Sequence, residues 1–328
     1  MKPIKLGIIG CGIAARELHL PALQKLKDKF EITAVCNHTE EKAKSYAALV
    51  GGVPYDLNYF ELLKRKEVEA VLIILPIELN FRVTEDSLDM GKHVLVEKPL
   101  AANLAQAQKM LNFPNRYHLK MMVAENFRYR PTFERVRQWL ASEIIGSAYA
   151  VIWNVFGYID ADNKYAQTKW RLQHQYRGGM VTDGGIHYIA ALSDLFGEFS
   201  SGAAFAKGIN RAIGEFDTFC LQFRTPSING IFNYFLSANG YAENRMVILG
   251  NKGSIIVESN KINLKKKGEP DQEETVEDDG GYFRQLENFY EAIRFNKPII
   301  STFKKAYSDL HIILKAFESV DTGNMVAF

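Results

Sequence analysis

Ile4-Lys5-Leu6-Gly7-Ile8-Ile9-Gly10-Cys11-Gly12-Ile13-Ala14-Ala15 is the stretch that decides the fold. A short apolar run ends in glycines, as a parallel strand buried on both faces does. GxGxxA follows at once and opens a helix read over residues 14–27. Gly10 can make the tight turn, Gly12 lets backbone approach a pyrophosphate, and the small Ala15 lets helix pack close on strand. Ile13 and Ala14 form the helix start, whose N–H groups and positive dipole end suit phosphates. A ligand-free βα turn can be spelled the same way, so the surrounding pattern carries the reading.

Outward from this turn, strand and helix patterns alternate. Strands are read at residues 32–36, near Val53, and at 70–75, 94–96 and 121–124; helices at 40–48, 59–66, 81–90 and 104–111. Such alternation implies right-handed crossovers and a doubly wound Rossmann sheet. Beyond residue 122 the pattern changes. Strands at 149–159, 218–223, 228–235, 246–249 and 255–257 have few helices between the last four, so a mostly antiparallel sheet is expected. Helices are read at 132–140, 180–196, 282–294 and 304–320. The expected α/β architecture is a dinucleotide-binding domain over 1–122 and a C-terminal α+β domain over 123–328 with a large sheet. The charge-segregated stretch from Lys265 to Asp279 reads as a solvated hairpin edge.

Composition agrees with two globular domains: 328 residues, 47% hydrophobic and 24% charged. Forty Lys and Arg against 38 Asp and Glu give +2, no reason to expect nucleic acid or a membrane surface as partner. The longest apolar runs fall far short of the ~20 residues that span a bilayer. The N-terminus runs straight into a strand without an apolar leader. Cys11, Cys36 and Cys220 have no CxxC spacing, so neither disulfides nor zinc are indicated, and a cytoplasmic location is expected. The sequon Asn37-His38-Thr39 reads as a chance match.

Two motifs carry chemistry. Glu97-Lys98-Pro99 closes the fifth strand and puts a lysine at the carboxyl end of a parallel strand, where ligands bind in such sheets. A surface lysine before a helix would have the same spacing. Gly178-Gly179-Met180-Val181-Thr182-Asp183-Gly184-Gly185-Ile186-His187 places Asp183 and His187 at i and i+4, on one helix face. An imidazole beside a carboxylate suits general-base work, and the paired glycines leave space for a ligand. No third metal ligand accompanies the pair, so no metal is expected.

With these residues the chain resembles the Gfo/Idh/MocA oxidoreductase family over nearly its whole length. The resemblance rests on residues 7–12, His19, Gly91-Lys92-His93-Val94-Leu95-Val96-Glu97-Lys98-Pro99, Trp170-Arg171, the DxxxH of Asp183 and His187, and residues 283–289. It implies hydride transfer between a nicotinamide and a hydroxyl-bearing carbon of a sugar, cyclitol or sugar derivative. It implies Lys98 between nicotinamide and substrate, His187 as proton acceptor, and Asp183 holding substrate or the histidine. It also implies a sheet that serves dimer or tetramer contacts. Pro76, Glu97 and Asn126 are expected on the cofactor side; Asn154, Tyr158, Tyr165, Trp170, Arg171 and His174 on the substrate side. Two positions depart from the family pattern. Of Thr-Pro-Asn-x-x-His, only the proline survives in Leu75-Pro76-Ile77-Glu78-Leu79-Asn80, and Ala190 replaces an acid three residues past His187.

Rival readings are a dinucleotide-binding sensor, an NAD-dependent glycosidase and a bilin reductase. The sensor could dispense with Lys98, Asp183 and His187 together, and this chain keeps all three. At the second strand tip, where an NAD site presents a carboxylate, stands Asn37, with His38, Thr39 and Lys42 following. That favours NADP over NAD, with dual use as the alternative. A sheet face bearing Ile228, Phe232 and Tyr234 is costly to expose, so a homodimer or dimer of dimers is expected.

Overall fold

The computed structural model describes residues 2–160 and 162–328. β1 (Ile4–Ile9) is followed by α1 (residues 13–25), β2 (Phe30–Cys36), α2 (Glu40–Leu49), β3 (Tyr55–Asp56) and α3 (Tyr59–Lys64). Then come β4 (Ala70–Ile73), α4 (Ile77–Asp89), β5 (His93–Glu97), α5 (Leu104–Met110), α6 (Phe113–Arg116) and β6 (Met121–Ala124). The sheet order is β3-β2-β1-β4-β5-β6 with every pair parallel, the dinucleotide-binding order. Ile9 pairs with Cys36 and Ile73, Ile73 with Val96, and Val96 with Val123. The strands therefore end level, and Gly10, Asn37, Pro76, Lys98 and Asn126 follow them along one edge.

α1 is not regular. The Leu20 N–H bonds the Ala15 carbonyl five residues back, so Ala15–His19 forms a π turn. Such turns re-aim side chains and gather at functional sites. Here His19 ends up fully buried.

Contact density divides the chain into two units, one holding the chain up to Asn126 with Gly281–Tyr307, the other Phe127–Gly280 with Ser308–Phe328. The single boundary expected at 122 is thus four residues early and misses the return of the helix Tyr282–Phe295 to the first unit. The cause is tertiary. This helix buries Leu286, Phe289 and Ala292, sets Tyr290 edge-on to Phe30 at 5.9 Å and pairs Glu287 with Lys29. An amphipathic pattern says that a helix has a core face, not which core it covers.

The second unit holds α7 (Pro131–Ala141), β7 (Ala148–Phe156), α8 (Lys169–Leu172), α9 (Met180–Phe196), β8 (Ser201–Lys207) and β9 (Thr218–Arg224). β10 (Asn229–Phe235), β11 (Glu243–Gly250), β12 (Ser254–Glu258), β13 (Lys261–Lys265), β14 (Gln272–Thr275) and β15 (Val326–Ala327) complete it. Its nine-stranded sheet runs β14-β13-β12-β11-β7-β10-β9-β8-β15 and is antiparallel except for the β7–β10 pair. β8 (SGAAFAK) escapes a sequence reading because its small residues have weak strand preference; pairing with β9 and β15 holds it. The charge-segregated stretch contributes the β13–β14 edge hairpin, with Lys261–Glu273 and Lys265–Asp271 ion pairs.

Alternation decides what each strand shows. Trp153, Phe232 and Tyr234 are buried against Tyr188 of α9, whose ring stacks on Phe232 at 5.4 Å and meets Trp153 edge-on at 4.9 Å. The expectation that Ile228, Phe232 and Tyr234 form an uncovered face is therefore wrong: all three are buried. The half-buried residues of the opposite parity are Ile152, Phe156, Ile231 and Phe235, with Phe156 stacked on Phe235 at 5.0 Å. Among the described residues no helix is long and apolar enough to cross a membrane.

Candidate active site

The glycine turn is built from the strand outward. Gly10 has φ +106°, and a Cβ there would meet the Ile74 carbonyl oxygen at 2.0 Å. Only glycine fits, and the reason is the protein's own β4 end. Gly12 is different: a Cβ there would meet nothing within 4 Å. That open cradle, directly before the first turn of α1, fits a dinucleotide pyrophosphate. Beneath it, burial pushes the Cys11 thiol up to about 11 and that of Cys36 up to about 12, against a smaller opposing pull on Cys11 from Arg16. Both are thus neutral thiols at physiological pH and add no negative charge to the turn.

Asn37 ties the turn to the tip of β2. Its Oδ1 accepts the Cys11 N–H at 3.2 Å, and its Nδ2 donates to the Thr39 carbonyl at 3.2 Å. His38 and Lys42 are exposed and Thr39 half-buried. A groove of about 550 Å³ between α1 and the end of α2 meets β2 at Phe30 to Ile32, its other end, so it is not part of this edge.

The Lys98 loop is clamped from beneath. Glu97 Oε1 pairs with buried His19 Nε2 at 2.5 Å, and Oε2 accepts the Lys98 N–H at 3.1 Å. Asn80 Nδ2 donates to the carbonyls of both Glu97 and Pro99 at 2.8 Å. Glu97, expected on the cofactor, is thus turned inward with both oxygens engaged by the protein. The reason is His19, which the π turn aims at it. Asn80 sits where the family pattern has histidine, and as a short amide it holds the loop's two carbonyls. Sequence reading singled out neither role; the only signals were His19 among the resemblance residues and Asn80 four places after Pro76.

In the second unit, Asp183 lies in the first turn of α9, where the helix dipole favours an acid. It is 6% exposed, and its Oδ2 accepts from Arg171 Nε at 2.7 Å. A buried carboxylate needs such a partner. Arg171 also donates to Thr168 Oγ1 at 3.1 Å and lies over the rings of Trp170 at 4.0 Å and Tyr165 at 5.2 Å. Tyr165 and Trp170 therefore gather around the Arg171 guanidinium that holds Asp183. One turn on, His187 stacks on Phe127 at 4.8 Å, which fixes the plane of its imidazole. His174 Nδ1 donates to the Tyr176 carbonyl at 2.6 Å. When that ring is neutral, Nε2 is left as acceptor, and it faces Gly179.

Three expectations fail here. The glycines flanking Asp183 do not open ligand space. A Cβ on Gly178 would strike Phe317 at 2.3 Å, one on Gly179 would come within 3.1 Å of His174, and one on Gly184 would strike the Tyr234 hydroxyl at 2.3 Å. Protein groups fill that room. Tyr234, which the site reading missed, has its hydroxyl pushed well above its usual range by burial, then by Tyr188 and Asp183, so it stays protonated. Asn154 lies on the sheet face opposite Trp153 and α9, bonded to Glu243 and Asn233, because neighbouring strand residues point to opposite faces. Tyr158 is 53% exposed in an isolated bridge to Ser237 and is not brought to Asp183.

The parallel sheet and its glycine turn define a dinucleotide-binding unit, and the antiparallel unit adds a buried acid and a histidine on one helix. Residues 4–125 match the GFO_IDH_MocA oxidoreductase family, NAD-binding Rossmann fold, and residues 133–256 match the GFO/IDH/MocA C-terminal domain. The uncharacterized protein YMR315W of Saccharomyces cerevisiae is 32% identical over 89% of this chain and 88% of its own length. The crystal structure of an oxidoreductase from Thermotoga maritima superposes with TM-score 0.94 at 34% identity, covering 99% of this chain and 98% of that one. A dTDP-3,4-didehydro-2,6-dideoxy-alpha-D-glucose 3-reductase of Actinomadura kijaniata is 30% identical over 60% of this chain and 57% of its own length. The chain belongs to the Gfo/Idh/MocA family of NAD-binding oxidoreductases.

Proposed function

We propose that this oxidoreductase moves a hydride between a nicotinamide dinucleotide and a hydroxyl-bearing carbon of a sugar, cyclitol or sugar derivative. The observation that carries the reading is Lys98, held by the Glu97, His19 and Asn80 clamp on the sheet edge that also presents Gly12. The similarity to a dTDP-sugar reductase supports the sugar class. Gly10, Gly12, Ile13, Ala14 and Asn126 would hold the dinucleotide with the tips of β2 and β4. When bound, it supplies or accepts the hydride. Lys98 donates a hydrogen bond to the substrate oxygen and stabilises its developing negative charge. His187, held flat by Phe127, takes the hydroxyl proton. Asp183, neutralised by Arg171, keeps that pair and the Trp170 and Tyr165 rings in place for a polyhydroxylated ligand. NADP is preferred, because the β2 tip presents Asn37 in place of a carboxylate.

The test is a screen of sugars, cyclitols and sugar nucleotides that follows nicotinamide absorbance. On the best substrate, Lys98→Ala and His187→Ala should each lower kcat by about 10²-fold or more at unchanged melting temperature. Wild-type turnover by both variants would overturn the assignment. A homodimer or dimer of dimers goes with this reading, through the sheet face of Ile152, Phe156, Ile231 and Phe235. Sedimentation as a monomer at micromolar concentration would refute it. We also place the protein in the cytoplasm, where its three free cysteines stay reduced; a secreted or organellar fraction on cell fractionation would contradict this.

A further inference from the structure

Arg16 differs from other guanidinium groups of the first unit. Arg65 pairs with Asp56, Arg82 with Asp86 and Arg294 with Glu69. Arg16 has no carboxylate partner among the described residues. Its Nε donates to the Cys11 carbonyl at 3.4 Å and its Nη2 to the Lys42 carbonyl at 3.3 Å. Both contacts are long and both acceptors neutral. Its Cζ lies 5.4 Å from the ring centre of fully buried Tyr46. The group is half-buried, and Nη1 has no hydrogen-bond partner among the described residues. A partly desolvated charge held by carbonyls and a ring is a site built for an anion.

Its place says which anion. Arg16 stands one turn past Gly12, to whose carbonyl its own N–H bonds at 3.2 Å. From there the side chain reaches sideways to the first turn of α2, beside the tip of β2. In this fold that is where the adenosine ribose hydroxyls are held, away from the pyrophosphate cradle. The tip itself carries the neutral Asn37, whose carbonyl oxygen is engaged by Cys11, and the acids that follow, Glu40 and Glu41, are exposed in the first turn of α2, where Glu40 accepts from the Tyr55 hydroxyl at 3.1 Å. A planar fork of donors matches phosphate oxygens two at a time.

We propose that Arg16 is the specificity-determining residue that reads a 2′-phosphate on the adenosine ribose. The ligand class is a 2′-phosphorylated adenosine, and the inference rests on the dinucleotide reading above. Calorimetry on the full chain tests it with four probes: NADPH, NADH, 2′,5′-ADP and 5′-AMP. The wild type should bind NADPH more tightly than NADH and 2′,5′-ADP more tightly than 5′-AMP. Arg16→Gln should weaken the two phosphorylated probes by about tenfold or more, as loss of a charge-assisted pair does, and the other two by less than about twofold. Arg16→Lys should restore part of the loss. Equal loss for all four probes would mean that Arg16 serves the pyrophosphate or the fold, and no loss would mean that it serves neither; both overturn the inference. NADH binding in those cases leaves the dinucleotide reading standing, whereas a wild type that binds neither dinucleotide overturns both.

Discussion

The two glycine-rich turns look alike as sequence and differ as structure. In the first unit, Gly10 is demanded by the Ile74 carbonyl, while Gly12 faces open space. In the second, Gly178 makes room for Phe317, Gly179 for His174 and Gly184 for the Tyr234 hydroxyl. A missing side chain is thus either an opening for a ligand or a seat for a neighbour, and the letter G does not say which. The first turn has one glycine demanded by packing and one that leaves open space; in the second the glycines seat neighbouring side chains around the start of the helix that carries Asp183 and His187.

Substitution can break this contrast. Gly10→Ala adds a methyl at positive φ against a backbone oxygen that cannot retreat, and should destabilise the first unit by about 4 kcal/mol in denaturant unfolding. A small loss would mean that β4 yields, and that Gly10 is not structural. Gly184→Ala should cost about 2 kcal/mol through overpacking against Tyr234, despite the better helix propensity of alanine. The cycle with Tyr234→Phe sharpens the point: without the hydroxyl most of that cost should vanish, giving a coupling of about 1–2 kcal/mol. An additive double variant would remove Tyr234 as the reason for the glycine. Gly12→Ala should change stability by less than about 0.5 kcal/mol, yet weaken dinucleotide binding measured by nicotinamide fluorescence. If instead it unfolds the protein as Gly10→Ala does, the two glycines are of one kind.

Much of the first unit was legible in the sequence. Its strands are buried on both faces, so an apolar run ending at a turn residue needs no knowledge of which face is inside. The exact span 121–124 of β6 is one such case. The second sheet was harder. In β7 the parity of Val151, Trp153 and Val155 and that of Ala150, Ile152 and Phe156 are both apolar, so the pattern could not say which face α9 covers. Asn154 and the Ile228, Phe232 and Tyr234 set were misplaced for that one reason. The site's supports were illegible on other grounds. A π turn depends on a single shifted hydrogen bond, and His19–Glu97, Asn80–Pro99 and Arg16–Lys42 join residues 78, 19 and 26 positions apart. Local spacing carries no record of such pairs. Asp183 and His187 were found because a helix makes i and i+4 neighbours without help from the rest of the chain.

The return of residues 281–307 to the first unit has a bearing on biosynthesis. The sixth strand of the parallel sheet is synthesised by Ala124, but the helix that buries Leu286 and Phe289 against that unit follows about 150 residues later. At ribosomal speeds of ~5–20 residues per second, the nascent sheet waits roughly 8–30 s with the side of Phe30 and Lys29 uncovered. For that interval the early unit shows apolar surface that is open to non-native association, and the exposure ends when the helix Tyr282–Phe295 emerges and docks.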